Sequence, residues 1–236
     1  MNSANNCNTN ASTSDLFPNG FTFDQVRIKT GLVKIGIDKN YKIVISNQPD
    51  LVEKTAAQIL KRFFSKAALS VKIISESKAA GEKNIYLGRE SSVDFIKKLC
   101  DLGHIKLLDV SAEDDGFHIK QIGCGFVISG ANPRGVLYGV YEFENAVRAG
   151  QTNSLDIKKV PYFRKRGSGP MYSFNKYVNL FTEDFTEEKA AYLSRMGINE
   201  LTDQGIGGHL ENFVHSDVFA FQTPPDADFQ RKVKAM

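Results

Sequence analysis

No apolar run in these 236 residues approaches the ~18 that a membrane-spanning helix needs, so the sequence offers no transmembrane segment. Cysteine is scarce. Cys7, Cys100 and Cys124 are odd in number and far apart, so they show neither a disulfide framework nor metal-ligand spacing, and no cofactor is implied. An excess of one charge sign is also missing: 30 Lys+Arg stand against 27 Asp+Glu, a balance too even to imply nucleic acid without a local patch. The densest basic stretch, Lys158-Lys159 through Arg164-Lys165-Arg166, is interrupted by Pro161, Tyr162 and Phe163 and reads as a solvated connector. Only 19 Gly and 7 Pro exclude a collagen-like chain, while 42% hydrophobic and 24% charged residues exclude disorder throughout. The length leaves one or two domains open.

The first twenty residues contain Asn at 2, 5, 6, 8, 10 and 19 and a single charge, Asp15, so they cannot bury enough surface to order themselves. Residues 1–22 are therefore expected to be a flexible leader. Neither a basic region nor an apolar run of signal-peptide length precedes Cys7. Cys7 followed by a polar Asn/Thr/Ser tract looks like the mature start of a bacterial lipoprotein, which would place the protein in the periplasm, at the cell surface or outside the cell; the plainer reading is a mobile thiol.

From Gly31 the pattern turns periodic. Leu32, Ile35 and Ile37, then Tyr41–Ile45, read as two strands turning at Asp38-Lys39-Asn40. Asn47, Pro49 and Asp50 start a helix that carries Val52, Ala56, Ile59, Leu60 and Phe63 on one face. Val71–Ile74 and Asn84–Gly88 read as strands. Ser91 or Ser92 is expected to cap a helix bearing Val93, Ile96, Leu99 and Cys100, with Cys100 in the core. Residues 117–121 and 126–129 form an expected hairpin across Gly123-Cys124-Gly125. The fold class that follows is α/β (α+β), a mixed β-sheet with helices packed on it, over residues 23–155.

The most informative segment is Gly130-Ala131-Asn132-Pro133-Arg134-Gly135-Val136-Leu137-Tyr138-Gly139-Val140-Tyr141. Asn132 suits a helix N-cap and Pro133 the first helical position, where its missing N–H costs nothing. Gly135 and Gly139, four apart, bare one helix face for close approach to a strand or a second domain. Two helical glycines cost about 1 kcal/mol each relative to Ala, which close packing must offset. Gly130 and Gly135 also fit the glycines of a P-loop, but Val136-Leu137 stand where Lys and Ser/Thr are needed, so packing is favoured over phosphate binding.

This segment, with Gly116–Ile119 and the Ile85–Gly88 strand, resembles the N-terminal α/β domain that precedes the catalytic barrel in α-glucuronidases and β-N-acetylhexosaminidases. The signature Pro133-Arg134-Gly135, Tyr138-Gly139 and Tyr141 carries the likeness. The resemblance implies a non-catalytic domain packing against a barrel, and a carbohydrate partner.

Val160–Gly167 then looks like the linker and Arg-Gly entry into a first barrel strand. Residues 171–180 read as strand, Thr186 caps a helix with Gly197 after it, and Ile198–Leu201 read as a second strand. Residues 156–236 are thus expected to be a linker and the truncated opening of a (β/α)₈ barrel, because a barrel needs about 250 residues and only 71 run from Arg166 to Met236. No Asp-Glu dipeptide, which the resembled hexosaminidases carry on a later strand, occurs; Glu183-Asp184 is reversed and reads as a solvated pair. No catalytic residue is assigned. The resemblance implies sugar contact by Arg166, whose plain reading is a linker cation, and places Asp203, in Asp203-Gln204-Gly205, and His209, followed by Glu211, on a loop at the site. The first strand lacks the Asp and second Arg of a hexosaminidase, and no Trp is present to form a sugar platform. Two functions stand: the N-terminal part of a carbohydrate-active hydrolase, inactive alone, or a stand-alone glycan-binding or interaction module.

Overall fold

The structure is a computed structural model that describes residues 22–107, 113–151, 155–168 and 187–201. The chain divides into two compact units, Met1–Arg164 and Lys165–Met236. Among the described residues of the first, ten α-helices and β-strands follow one another: α1 (Phe23–Lys34), β1 (Lys42–Ile45), α2 (Leu51–Lys66), β2 (Lys72–Ser75), β3 (Asn84–Gly88), α3 (Asp94–Asp101), β4 (Phe117–Ile122), β5 (Gly125–Gly130), α4 (Pro133–Arg148) and β6 (Asp156–Lys159). The strands form one sheet in the order β2-β1-β3-β5-β4-β6. β1 pairs in parallel with β2 and β3, and β3 with β5, while β4 runs antiparallel to both neighbours. This is the mixed α/β sheet expected.

Period-two alternation gives the sheet two apolar faces. Ile85 and Leu87 of β3, with Phe126 and Ile128 of β5, enter the main core under α1, α2 and α4. Tyr86 and Val127, which alternate with them, join a smaller core formed with Val93, just before α3, and Ile96 and Leu99 of α3. Cys100 sits half-buried at the edge of that second core, as a free thiol.

Three elements differ from the sequence reading. Leu32 and Ile35 do not belong to a strand: residues 23–34 form α1, capped by Thr22, whose hydroxyl accepts from the Gln25 N–H while the Gln25 side chain accepts from the Thr22 N–H. The apolar spacing is shared by both patterns, and the cap decides. Gly31 then lets α1 touch α4, since a Cβ there would lie 1.8 Å from the Val147 carbonyl oxygen. Second, neither Ser91 nor Ser92 caps α3. Its first N–H groups, of Asp94 and Phe95, donate to the Glu76 carboxylate at 3.0 and 2.8 Å. A carboxylate 18 residues upstream takes the place of a local cap. Third, residues 156–159 extend the sheet as edge strand β6, so the sheet takes in the start of the segment expected to be linker. The β4–β5 hairpin turns at Gly123-Cys124 as read.

In the second unit, β7 (Gly167–Ser168), α5 (Glu187–Arg195) and β8 (Glu200–Leu201) make a β-α-β unit whose two strands pair in parallel. Residues 171–180 and Thr186 lie outside the described residues. So do the leader 1–21 and Cys7.

Tyr41, 2% exposed, precedes β1 and donates its hydroxyl to the Cys124 carbonyl in the hairpin turn. Burial, aided by the negative charge of Asp38, pushes its pKa up to about 12 from 10.0. Burial, with Glu90 and Asp101 nearby, pushes the Cys100 thiol up to about 11 from 9.0. Both groups fold as neutral species and ionise first in the unfolded chain. Their contribution is complete below pH 9 and is lost as pH rises toward 11 for Cys100 and from 10 toward 12 for Tyr41, each with a slope of at most about 1.4 kcal/mol per pH unit. Urea unfolding at about pH 8, 10 and 11 is expected to show this fall. Tyr41→Phe should remove the part above pH 10.

Candidate functional site

The carboxyl ends of β1, β2, β3 and β5 lie along one edge of the sheet, because these strands are mutually parallel. Ligands in open α/β sheets bind at this edge, where the strand order changes direction. Here the change falls between β1, which leads outward to β2, and β3, which leads the other way to β5. The position is filled by Glu53 of α2, 1% exposed. Its Oε1 accepts from the Nε of Arg89, just after β3, at 2.9 Å and from the Ser92 hydroxyl at 2.9 Å. Its Oε2 accepts from the Asp50 N–H at 3.0 Å, which closes the α2 capping box. The Glu53 carboxylate thus joins α2 to the β3–α3 loop. Sequence reasoning missed this pairing because its partners stand 36 and 39 residues away.

A second buried carboxylate lies beside the signature segment. Asn132 caps α4, its Oδ1 accepting from the Gly135 N–H at 2.8 Å, with Pro133 in the first turn. The Asn132 Nδ2 donates to the Asp114 carbonyl and to Asp115 Oδ1, both at 3.0 Å. Arg134 Nε donates to the same Asp115 oxygen at 2.9 Å. The Asp115 side chain is fully buried, while that of Arg134 is half exposed. Gly135 and Gly139 bring α4 onto the domain's own sheet: a Cβ at Gly135 would lie 2.3 Å from the Gly116 carbonyl oxygen, and one at Gly139 would lie 2.7 Å from Ile128 Cγ2. Tyr141 is buried in the main core and Tyr138 packs at its edge, with ring centroids 6.5 Å apart.

His118 of β4, 4% exposed, shares a face with Ser129, its register partner on β5. The pair and Asp156 form a Ser/His/Asp set on neighbouring strands, but the hydrogen bonds define a different role. His118 Nδ1 accepts from the Lys106 N–H at 3.1 Å, so the ring proton is on Nε2, which donates to Asp156 Oδ1 at 2.7 Å. The imidazole has no nitrogen left to take a proton from serine. It fastens the edge strand β6 instead. The His118 hydrogen bond holds the Asp156 carboxyl below its usual range, with help from Lys120.

A cavity of about 300 Å³ opens between α3 and the β4–β5 turn, lined by Asn84, Tyr86, Phe95, Ile122 and Gly123 among others. Tyr86 and Phe95 stack with centroids 4.1 Å apart. The cavity wall is largely apolar and sits at the opposite edge of the sheet from Glu53 and Asp115.

Of the residues expected to contact sugar, Arg166 is described, in the second unit. Its N–H donates to Asn199 Oδ1 at 2.9 Å, its Nε to the Gly197 carbonyl at 2.6 Å, and its carbonyl accepts from the Asn199 N–H at 3.0 Å. Arg166 therefore knits β7 to the turn between α5 and β8. Asp203, His209 and Glu211 lie outside the described residues, as do Glu183 and Asp184. Among the described residues, no group of three or more His, Cys, Asp or Glu side chains is arranged to hold a metal ion. Among them too, no helix is long and apolar enough to cross a membrane.

Residues 32–143 match the family model described as the N-terminus of glycosyl hydrolase family 67. A solved structure shares the fold. The "Structure of CpGH84D" aligns with TM-score 0.62 at 14% identity, covering 83% of this chain and 31% of that one. A structure described as a "GH138 enzyme targeting pectin rhamnogalacturonan II" aligns at 0.49 and 14% identity, covering 83% of this chain and 22% of that one. "A novel family GH115 4-O-Methyl-alpha-glucuronidase, BtGH115A, with specificity for decorated arabinogalactans" aligns at 0.47 and 16%, covering 71% and 25%. The chain thus spans less than a third of the length of each of these structures. No curated protein matches the sequence. The matched segment runs from α1 to α4 and is a glycoside hydrolase-related domain of the N-terminal type.

The two helical glycines make separate demands. Gly135→Ala forces a methyl into backbone and should cost about 3 kcal/mol or more, whereas Gly139→Ala presses on a movable isoleucine branch and should cost about 1–2 kcal/mol. Urea denaturation of the two variants checks the order.

Proposed function

We propose that this chain is the N-terminal, non-catalytic portion of a carbohydrate-active glycoside hydrolase of the α-glucuronidase or hexosaminidase type, and that residues 165–236 open its (β/α)₈ barrel. The observation that carries the reading is the family match across α1 to α4, a continuous run of the first unit that includes the whole signature segment. The parallel β7–β8 pair with α5 between them supports the second half, since a parallel neighbour requires a crossover and barrels repeat that unit. The engagement of Glu53 and Asp115, two of the three buried carboxylates among the described residues, supports the non-catalytic part. Hydrolysis needs a carboxyl group free to give or take a proton beside the sugar. Glu53 accepts three hydrogen bonds from its own domain, and Asp115 accepts two on one oxygen.

Carbohydrate is the partner this reading gives the assembled enzyme, with neither nucleic acid nor a cofactor required. Asp203 and His209, which follow β8 in the sequence, are with Arg166 the proposed sugar contacts in the second unit, because barrel strands meet substrate at their carboxyl ends.

Purified whole chain incubated with aryl α-glucuronides and aryl β-N-acetylglucosaminides is expected to release no aryl group above a heat-killed control. Turnover would contradict the non-catalytic assignment.

A further inference from the structure

The signature segment and the end of the first unit are joined by one acidic tripeptide, Glu113-Asp114-Asp115. Its last member points inward and its first two outward. Asp115 is buried beneath α4, held by Asn132 and Arg134. The same Asn132 amide grips the Asp114 carbonyl, so the tripeptide backbone is fastened to the α4 cap. The two outward carboxylates then share one guanidinium. Arg164 Nε donates to Asp114 Oδ1 at 2.9 Å, and Arg164 Nη1 donates to Glu113 Oε2 at 2.6 Å.

Arg164 is the last residue of the first unit. Between it and Lys159, where β6 ends, stand Val160, Pro161, Tyr162 and Phe163. Val160, Tyr162 and Phe163 are 47%, 93% and 67% exposed, so burial does little to fix this stretch. The forked arginine does more. A lone exposed ion pair contributes little, because two flexible side chains must be ordered to make it. Here both acids stand on a backbone already immobilised by the α4 cap, and one planar donor meets both.

We infer that Glu113, Asp114 and Arg164 form a clasp that fixes the chain's exit from the first unit, and that Asn132, Asp115 and Arg134 anchor the clasp to helix α4. The role goes beyond the packing reading of the signature segment. It is independent of what the second unit binds or catalyses. Arg164 acts as a positioning residue.

Hydrogen–deuterium exchange on the whole chain tests it, followed in a peptide covering residues 160–164. The variant Glu113→Gln with Asp114→Asn removes both charges at the surface and leaves the buried Asp115 untouched. Exchange in the peptide should quicken about three- to tenfold. Amides of α2 and β3 should keep their rates. Raising ionic strength should have the same local effect on the unaltered chain. Inverting the charges, with Arg164→Glu joined to Glu113→Lys and Asp114→Lys, should restore most of the protection. Unchanged exchange at 160–164 in the neutralised variant would overturn the clasp. A rise spread evenly through the domain would overturn it too, since it would mark lost stability rather than a freed exit.

Discussion

The first unit depends on how closely α4 lies against the β4–β5 hairpin. At Gly135 and Gly139 the helix backbone comes within the space a single methyl would occupy. That approach carries the start of α4 over the residues just before β4 and buries Asp115 completely. A buried carboxylate is costly unless every demand it makes is met nearby. Asn132 and Arg134 meet two of them. Pro-Arg-Gly after an asparagine cap is thus one device: the cap orders the helix, the glycine permits contact, and the arginine neutralises the acid that contact buries.

The same logic governs Glu53. It stands where the strand order reverses, the position at which related sheet architectures hold ligands, and it is occupied by the domain's own Arg89, Ser92 and Asp50. His118 follows suit, with one ring nitrogen accepting from the backbone and the other donating to Asp156. Charged and titratable groups in this unit join elements to one another: α2 to the β3–α3 loop, β4 to β6, the β4 lead-in to α4.

Much of this was legible in the sequence where cause and effect are local. The α4 start was readable because Asn132, Pro133, Gly135 and Gly139 act within two turns of one helix. The β4–β5 turn and the α2 start were readable for the same reason. What escaped was long-range. Leu32 and Ile35 fit strand and helix spacing alike, and only the Thr22–Gln25 box upstream shows the helix. The α3 cap comes from Glu76, across a strand and a turn. Nothing local marked the pairing of Glu53 with Arg89 and Ser92, which come from the far side of β3. For Arg166 the resemblance implied sugar contact, while the hydrogen bonds to Asn199 and Gly197 that knit its unit together were not readable from the sequence.

Equilibrium urea unfolding of Asp115→Asn against the unaltered chain tests the account at its centre. The substitution keeps size and shape and an oxygen that can accept from Asn132 and Arg134, but it removes the negative charge that faces the Arg134 guanidinium and turns the second carboxylate oxygen into a buried N–H₂ donor. A loss of about 2–4 kcal/mol is predicted, the range for breaking a buried charged network. A loss below about 0.5 kcal/mol, the level of an ordinary surface substitution, would show that the contact between α4 and the hairpin does not rest on this acid.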